Sequence, residues 1–543
     1  MSLRNAAPIP FSPSGVTDTL DGSNAPQGSM AALVNLIPDP TTANLFVCRP
    51  ASELMTEFGG FSSPGFISVF HVSGSLIYGM IATSATPGYD QPFCYDTNAA
   101  AFIAVTGTQN ATTLPLSPST SGEWVPPIME LVGVLLIVTH PGFPGGAGAY
   151  FGWFDLTDPA IPVWNAGNTA PNALVSVPVS VAQFNGRAYY AVGNNVVFSD
   201  SLAATTVTNA NQVLTLGDNE EVTALANLPL STYVTGGVIQ CLIAFKGVST
   251  MYQITGDPTS NDLQVNANTV HTGTLAPNTI VPTPQGLVFV SPEGLRFINF
   301  QLQISDPVGV AGSGVTVPFI YASVPSRMCA AYNANVVRIS VQNEASLGTP
   351  FQEWWFDIAR KVWTGPHTFP ASYIHSFTHP TGGSHASFVM APQGILGELW
   401  DSHVVPALTS VYEENGVDLS FAWTTSILPD TDQMSESYIT ESTIKMSLPP
   451  AINAVTVSAL NEDATVLMAV QIAPEGTGTV WGAFTWGAAL WLGTSTSYKP
   501  RRVPWTEQPT FRMVQFSVTG DSIASYRIGT MQNRYQIAGY LQQ

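Results

Sequence analysis

The chain has 543 residues, 45% apolar and only 10% charged, and its 36 acidic residues outweigh 16 basic ones to leave a formal charge of −20. Such an apolar chain is not disordered, and its 46 glycines and 42 prolines exclude an all-helical protein, because they suit short strands joined by tight turns. No Lys or Arg lies between Arg49 and Arg187, whereas Glu53, Glu57, Asp90, Asp96, Glu123, Glu130, Asp155 and Asp158 do, so this stretch offers no basic footprint for nucleic acid.

Residues 1 to about 30 are rich in Pro, Ser, Asn and Gly and read as an extended arm that orders on a neighbour. With the first strand this arm makes a segment 1–60. Residues 61–410 repeat a hydrophobic strand, a small turn and a second strand, in 66–80, 131–156, 179–193, 238–254, 286–300, 327–341 and 372–401. The turns Ser73-Gly74, Asn185-Gly186, Lys246-Gly247 and Glu293-Gly294 supply the glycine that tight hairpins need. About seven units at intervals of roughly 45–65 residues approach the spacing of propeller blades, so an irregular β-propeller is predicted, with a stack of β-sandwiches as the alternative. One helix is predicted over 217–230, capped by Asp218, with Glu221 completing a capping box, Glu220 favouring its positive end and Pro229 ending it. In residues 411–543 the alternating segments 438–448, 453–460, 464–472, 511–520 and 525–541 predict a separate antiparallel β domain, and the fold class is all-β.

Chemistry-bearing motifs are sparse. Cys48, Cys94, Cys241 and Cys329 lie far apart and read as reduced core residues, which favours synthesis in a reducing cytoplasm. The N-terminal residues show no apolar signal-like run, and the longest apolar run, 131–139, falls short of the ~20 residues a spanning helix needs. There is no Gly-Lys dipeptide for a phosphate-binding loop and no G-x-S-x-G elbow. His375, His379 and His385 approach a metal cluster, but Pro380, Gly382 and Gly383 forbid the helix that would pair them, and they read as structural. Trp124, Trp153, Trp164, Trp354, Trp355 and Trp363 suit a sugar platform or, at this density in strands, a core. No catalytic, cofactor-binding or metal-binding residue is nominated.

Several segments in order, NLIPDPTTANLFVCRPA (35–51), NGRAYYAVGNNVVFSDSL (185–202), GDNEEVTALANLPL (217–230) with VIQCLIAFKGVSTMYQITGD (238–257), VFVSPEGLRFI (288–298) and EWWFDIARKVWTGP (353–366), resemble the tail nozzle, or tail hub (packaged DNA stabilization protein), family of short-tailed bacteriophages. The resemblance spans roughly residues 30–400. It implies a virion structural protein without catalytic residues. Six copies would form a ring below the portal and its adaptor, with tail fibres or spikes nearby, retaining the packaged genome and then releasing it through a channel that does not bind DNA specifically. A glycan-binding or glycan-hydrolysing tail protein is the alternative. The bases Lys499, Arg501, Arg502, Arg512, Arg527 and Arg534, against Glu507 and Asp521, are expected to face a neighbouring subunit or the adaptor. The channel wall is expected to be acidic and neutral polar.

Overall fold

A computed structural model of the chain describes residues 9–11, 15–18, 29–40, 42, 45–59, 64–83, 89–107, 125–145, 149–166, 174–217, 219–231, 238–268, 270–308, 314–342, 351–378, 386–393, 395–404, 413–429, 435–447, 455–461, 463–472, 498–507, 510–522 and 527–540. Strand follows strand in small antiparallel sheets. Blade 1 runs Pro64–Ser73, Leu76–Thr83, Tyr89–Asp96 and Ala101–Ile103. Blade 2 has Ile128–Val132, Leu135–Thr139, Gly152–Asp155 and Val163–Ala166, with Thr106–Gly107 added in parallel at its edge. Blade 3 comprises Ser180–Phe184, Arg187–Val192, Asn195–Phe198 and Val213–Thr215, and blade 4 comprises Val222–Ser231, Val238–Lys246, Thr250–Thr255 and Gln264–Ala267. Blade 5 contributes Val281–Thr283, Gly286–Ser291 and Gly294–Ile298. Blade 6 is Cys329–Asn333, Val336–Gln342, Phe351–Asp357 and Val362–His367, and blade 7 begins Ala371–Thr378, Ala386–Pro392 and Glu398–His403.

The fourth strand of blade 7 is Ser52–Glu57, antiparallel to Glu398–His403 with Glu57 opposite Glu398 and Ser52 opposite Ser402. An early strand thus completes the last sheet. The first strand of blade 7 packs against that of blade 1, so the sheets close into a seven-bladed propeller. Apolar side chains fill each gap: Tyr78 and Met80 meet Leu136, Phe154 and Trp164 between blades 1 and 2, while the Phe245 and Phe289 rings lie 5.1 Å apart between blades 4 and 5. Each unit anticipated from the strand–turn–strand pattern occupies one blade.

Local sequence explains the hairpins. Asn185 (φ 48°) and Gly186 (φ 68°) both take left-handed backbone, the requirement of a two-residue turn whose twist matches the strands of blade 3. Gly79 has another reason to be glycine, since a Cβ there would stand 2.2 Å from the Ser68 carbonyl oxygen and 2.6 Å from the Phe93 ring. Gly79→Ala is expected to cost about 1–3 kcal/mol by overpacking, read as a lower urea midpoint.

The predicted helix over 217–230 is not formed. Residues 222–231 are the innermost strand of blade 4. Val222 and Leu225 pack toward blade 3, Ala224, Ala226 and Leu228 toward blade 5, so apolar residues sit on both faces and the alternation that marks a strand disappears. Glu220 accepts a hydrogen bond from the Ser249 hydroxyl at 2.8 Å, at the turn of the next hairpin, and Asp218 lies outside the described residues.

The remaining strands form two antiparallel sheets. One contains Leu36–Pro38, Phe46–Cys48, Arg527–Tyr540, Ser435–Ser447 and Lys499–Val503, with Ile9–Phe11 and Thr510–Phe511 at its margins. The other contains Ser29–Val34, Val417–Thr425, Met513–Ser522, Val455–Leu460 and Val466–Ile472, and joins blade 6 where Leu33 pairs with Gly365. Ile439, Ile444 and Met531 of the first pack with Phe421, Trp423 and Val518 of the second, and the same core continues to Trp354 and Trp363 of blade 6. Of the described strands of the N-terminal segment, Ser52–Glu57 completes blade 7, while Ile9–Phe11, Ser29–Val34 and Phe46–Cys48 pair with C-terminal strands. Among the described residues no helix is long and apolar enough to cross a membrane.

Candidate functional site

Three features stand out: the junction between propeller and terminal sheets, the charge on the propeller surface, and the cavity on its axis. The chain enters the propeller at Arg49–Ser52 and leaves it after Val404. Arg49 and Glu414 staple these crossings, with Nη1–Oε1 at 2.7 Å and Nη2–Oε2 at 2.8 Å, both side chains being buried. Arg49 also donates to Asn35 Oδ1 (2.9 Å), Pro50 O (3.0 Å) and Thr368 O (2.9 Å), while the Ser52 N–H donates to Glu414 (2.8 Å). Burial disfavours the guanidinium cation, but the Glu414 carboxylate more than offsets this, so the Arg49 pKa lies above its ordinary value.

A second buried pair lies nearby. Arg338 meets Glu353 at 2.6 Å and stacks on Trp355 and Phe388, with its guanidinium 4.7 and 4.9 Å from the ring centres. Glu353 also accepts from Trp355 Nε1 (2.5 Å) and the Ala371 N–H (3.0 Å). Between the pairs, His367 Nδ1 accepts the Asn35 N–H at 3.0 Å, which leaves Nε2 to donate to Thr364 Oγ1 at 3.2 Å. Burial, together with Arg49 and Arg338, holds His367 neutral, its pKa well below the usual histidine range.

Residues 52–403 hold 21 acidic and seven basic residues. Five of those bases, Arg187, Lys246, Arg296, Arg327 and Arg338, are buried. Arg187 donates to Ser199 O (2.7 Å), Lys246 to Leu216 O, Arg296 to Ser305 O (2.9 Å) and Arg327 to Gln342 Oε1 (2.8 Å). Arg360 pairs with Asp357 at 2.8 Å, which leaves Lys361, among the described residues, as the propeller's exposed base outside an ion pair. Glu53, Glu57, Asp158, Glu221, Asp262 and Glu293 are exposed. Among the described residues, the charged groups exposed on the propeller are thus mostly acidic.

A cavity of about 360 Å³ lies on the propeller axis, walled by the inner strands or adjoining turns of all seven blades. Glu130 from blade 2 projects into it and accepts the Gln183 N–H at 3.2 Å, and Asn227 Nδ2 of blade 4 reaches Gln183 Oε1 at 3.5 Å. Glu130 is half-buried in the wall of this cavity. Burial pushes its carboxyl pKa up to about 7, against the smaller opposing effect of the Gln183 N–H.

With this geometry established, comparison with known proteins gives fold-level neighbours. No protein family and no curated protein matches the chain. Among solved structures it is similar to the RRP9 WD40 repeats (TM-score 0.38, 10% identity, 66% of this chain and 99% of that one). It is also similar to Sqt1 of Saccharomyces cerevisiae (0.40, 9%, 66% and 100%) and to apo AztD from Citrobacter koseri (0.31, 12%, 64% and 89%). The propeller assignment itself follows from the sheet order and closure described above.

Residues singled out in the sequence are dispersed. His375 lines the axial cavity with its ring 5.1 Å from Phe70, while His379 and His385 lie outside the described residues. Among the described residues no group of His, Cys, Asp and Glu has metal-site spacing. Trp164, Trp354, Trp355 and Trp363 are buried core, Trp153 is half-buried, and Trp124 lies outside the described residues. The four cysteines are buried, and none is in a disulfide. Of the C-terminal bases, Arg527 lies 3.6 Å from Asp39 and Arg534 3.4 Å from Glu441, so these two have partners within the chain, while Arg502 and Arg512 are exposed. Sequence reasoning passed over Arg49 with Glu414, whose connection spans 365 positions, and over the role of Glu130, a lone acid in the apolar run PPIMELVGVLLIV that is a readable signal of a buried carboxyl.

Proposed function

We propose that the protein is a non-enzymatic structural component of a phage virion, the tail nozzle, whose copies form a ring that continues the DNA channel below portal and adaptor. One observation carries the reading: the propeller buries five of its seven bases and, among the described residues, leaves mostly acidic charged groups exposed. Lys and Arg at such a surface would bind phosphates through counterion release and hold the strand, whereas an acidic wall keeps DNA centred and mobile. The ordered motifs of residues 35–51, 185–257 and 353–366 support the same reading through their resemblance to the family. The stapled junction supports it too, since a conduit bearing capsid pressure needs its two parts held together.

Purified protein is expected to give no DNA mobility shift at physiological salt. The triple variant Glu221→Lys, Asp262→Lys, Glu293→Lys is expected to bind DNA with an affinity that falls steeply as salt rises, by a log–log slope of about 0.9 for each phosphate contacted. A reconstruction of virions is the deciding experiment, with a ring of this chain at the tail, six-fold by resemblance, as the expected result. Absence of that ring, or hydrolysis of host polysaccharide by the pure protein, would overturn the proposal.

A further inference from the structure

Two surfaces of the protein carry opposite charge. At the rim of blade 7 the outermost strand, Ser52–Glu57, sets Glu57 directly opposite Glu398 and Glu53 directly opposite Asp401, and neither strand contains a Lys or Arg. Like charges placed opposite one another across a strand pair repel, and a cation from outside relieves them. Glu53 and Glu57 are exposed and pair with no Lys or Arg among the described residues, and Leu54 beside them leaves 46% of its surface open. The terminal sheet that contains Ser435–Ser447 and Lys499–Val503 is the converse. Ser442, Ile444 and Met446 are buried while Lys445 is exposed and Glu441 and Thr443 are half-buried, so the odd-numbered positions point outward. The register places the exposed Arg502 opposite Thr443 on one flank and Arg534 opposite Glu441 on the other. Arg534 pairs with Glu441 at 3.4 Å, which leaves Lys445 and Arg502 as the excess charge of this face. Lys445 Nζ stands 4.7 Å from the centre of the Tyr498 ring, and the exposed Pro500 lies opposite Lys445.

We propose that these surfaces join one copy of the chain to the next, the blade-7 rim of one against the outer sheet face of its neighbour, with Glu53 and Glu57 meeting Lys445 and Arg502. Leu54 then faces Pro500 and Tyr498, an apolar centre within a charged rim, as protein interfaces are built. The acidic surface calls for a basic partner and the basic surface for an acidic one, and a second copy supplies both at once. A net charge of −20 opposes the approach of DNA to the basic face. Because the two surfaces differ, the contact is heterologous, and repeated head to tail it forms a ring if the rotation closes. The closed ring rests on the nozzle reading, whereas the pairing of these faces rests on their charge.

The test is analytical sedimentation of the full chain at concentrations up to about 100 μM in about 50 mM salt, where exposed charges are weakly screened. The wild type is expected to associate reversibly. The double variants Glu53→Lys, Glu57→Lys and, separately, Lys445→Glu, Arg502→Glu are each expected to weaken association at least about tenfold, since each gives both surfaces the same sign, with circular dichroism confirming the fold. An equimolar mixture of the two variants is expected to associate to within about threefold of wild type, because each offers the surface the other lacks, a rescue that misfolding cannot produce. A wild type that stays monomeric over this range, unchanged association in either variant, or a mixture that stays apart would overturn the proposal. DNA binding by the wild type that is lost in Lys445→Glu, Arg502→Glu would assign the basic face to nucleic acid and overturn it as well. A virion ring joined through other faces would overturn this pairing and leave the nozzle reading intact, whereas association through these faces without a ring at the tail would do the reverse.

Discussion

Arg49→Met is expected to destabilise the protein by about 3–5 kcal/mol, the usual result of removing one partner from a buried ion pair. The arginine makes two short bonds to Glu414 and three more to Asn35, Pro50 and Thr368, all within 3.0 Å. Methionine fills much of the volume but leaves the Glu414 carboxylate buried, with the Ser52 N–H still donating to it. Arg49→Lys is expected to lie between the two, because one ammonium cannot reproduce a planar fork that meets both carboxylate oxygens and three further acceptors. The double variant Arg49→Met, Glu414→Leu is expected to recover part of the loss, since it removes the stranded charge as well. Urea denaturation of the four proteins measures this directly. A loss below about 1 kcal/mol in Arg49→Met would place the pair in the energetic class of exposed surface bridges, contrary to its burial.

Glu130→Gln is expected to act in the opposite direction, raising stability at pH 8 by about 3 kcal/mol and leaving it unchanged near pH 4. The folded-state pKa of about 7 lies above the ordinary 4.5 because burial penalises the carboxylate. Below pH 4.5 both states carry the proton. As pH rises from 4.5 to 7 the unfolded chain releases it while the folded chain retains it, so wild-type stability falls across that window, by up to about 1.4 kcal/mol for each step of one in pH. Glutamine fills the same space without a charge to desolvate.

His140 imposes the reverse slope. It is fully buried, with Nε2 donating to Val125 O at 2.8 Å and Nδ1 accepting the Gly142 N–H at 2.9 Å, and burial pushes its pKa down to about 4. Its contribution is intact above 6.5 and is lost as pH falls toward 4, because the unfolded chain takes up the proton first. Between 4.5 and 6.5 the two slopes oppose each other and wild-type stability is expected to vary little. In Glu130→Gln the histidine slope remains alone, so stability falls on acidification through that window. Urea midpoints at a series of pH values distinguish these curves.

The residues of the axial site are individually visible in the sequence but not jointly. Glu130 and Asn227 lie 97 positions apart, and each reaches Gln183 on the inner strand that stands between theirs in the ring. In the sequence His375 stands beside His379 as a possible ligand, yet the propeller places it across the cavity wall near Phe70. A motif search weighs residues close in sequence, whereas a propeller builds its axis from one short strand per blade, so the determinants of such a site are spread over the whole repeat array.

Local sequence sets the hairpins, and with them the number of blades, because a two-residue turn is a local choice: Asn185-Gly186 takes positive φ whatever lies beyond its strands. Local signals failed at 222–231, where burial on both faces removed the alternation and the preceding acids mimicked a helix cap. Tertiary structure alone decided that Ser52–Glu57 would complete blade 7, that residues 29–48 would join sheets built from residues beyond 413, and that Arg49 would find Glu414. Each of these pairings closes a loop of more than 300 residues, and many uncharged strands offer similar edges. The choice among them falls to shape and burial in the assembled ring, where the strand that finishes the last sheet also closes the propeller.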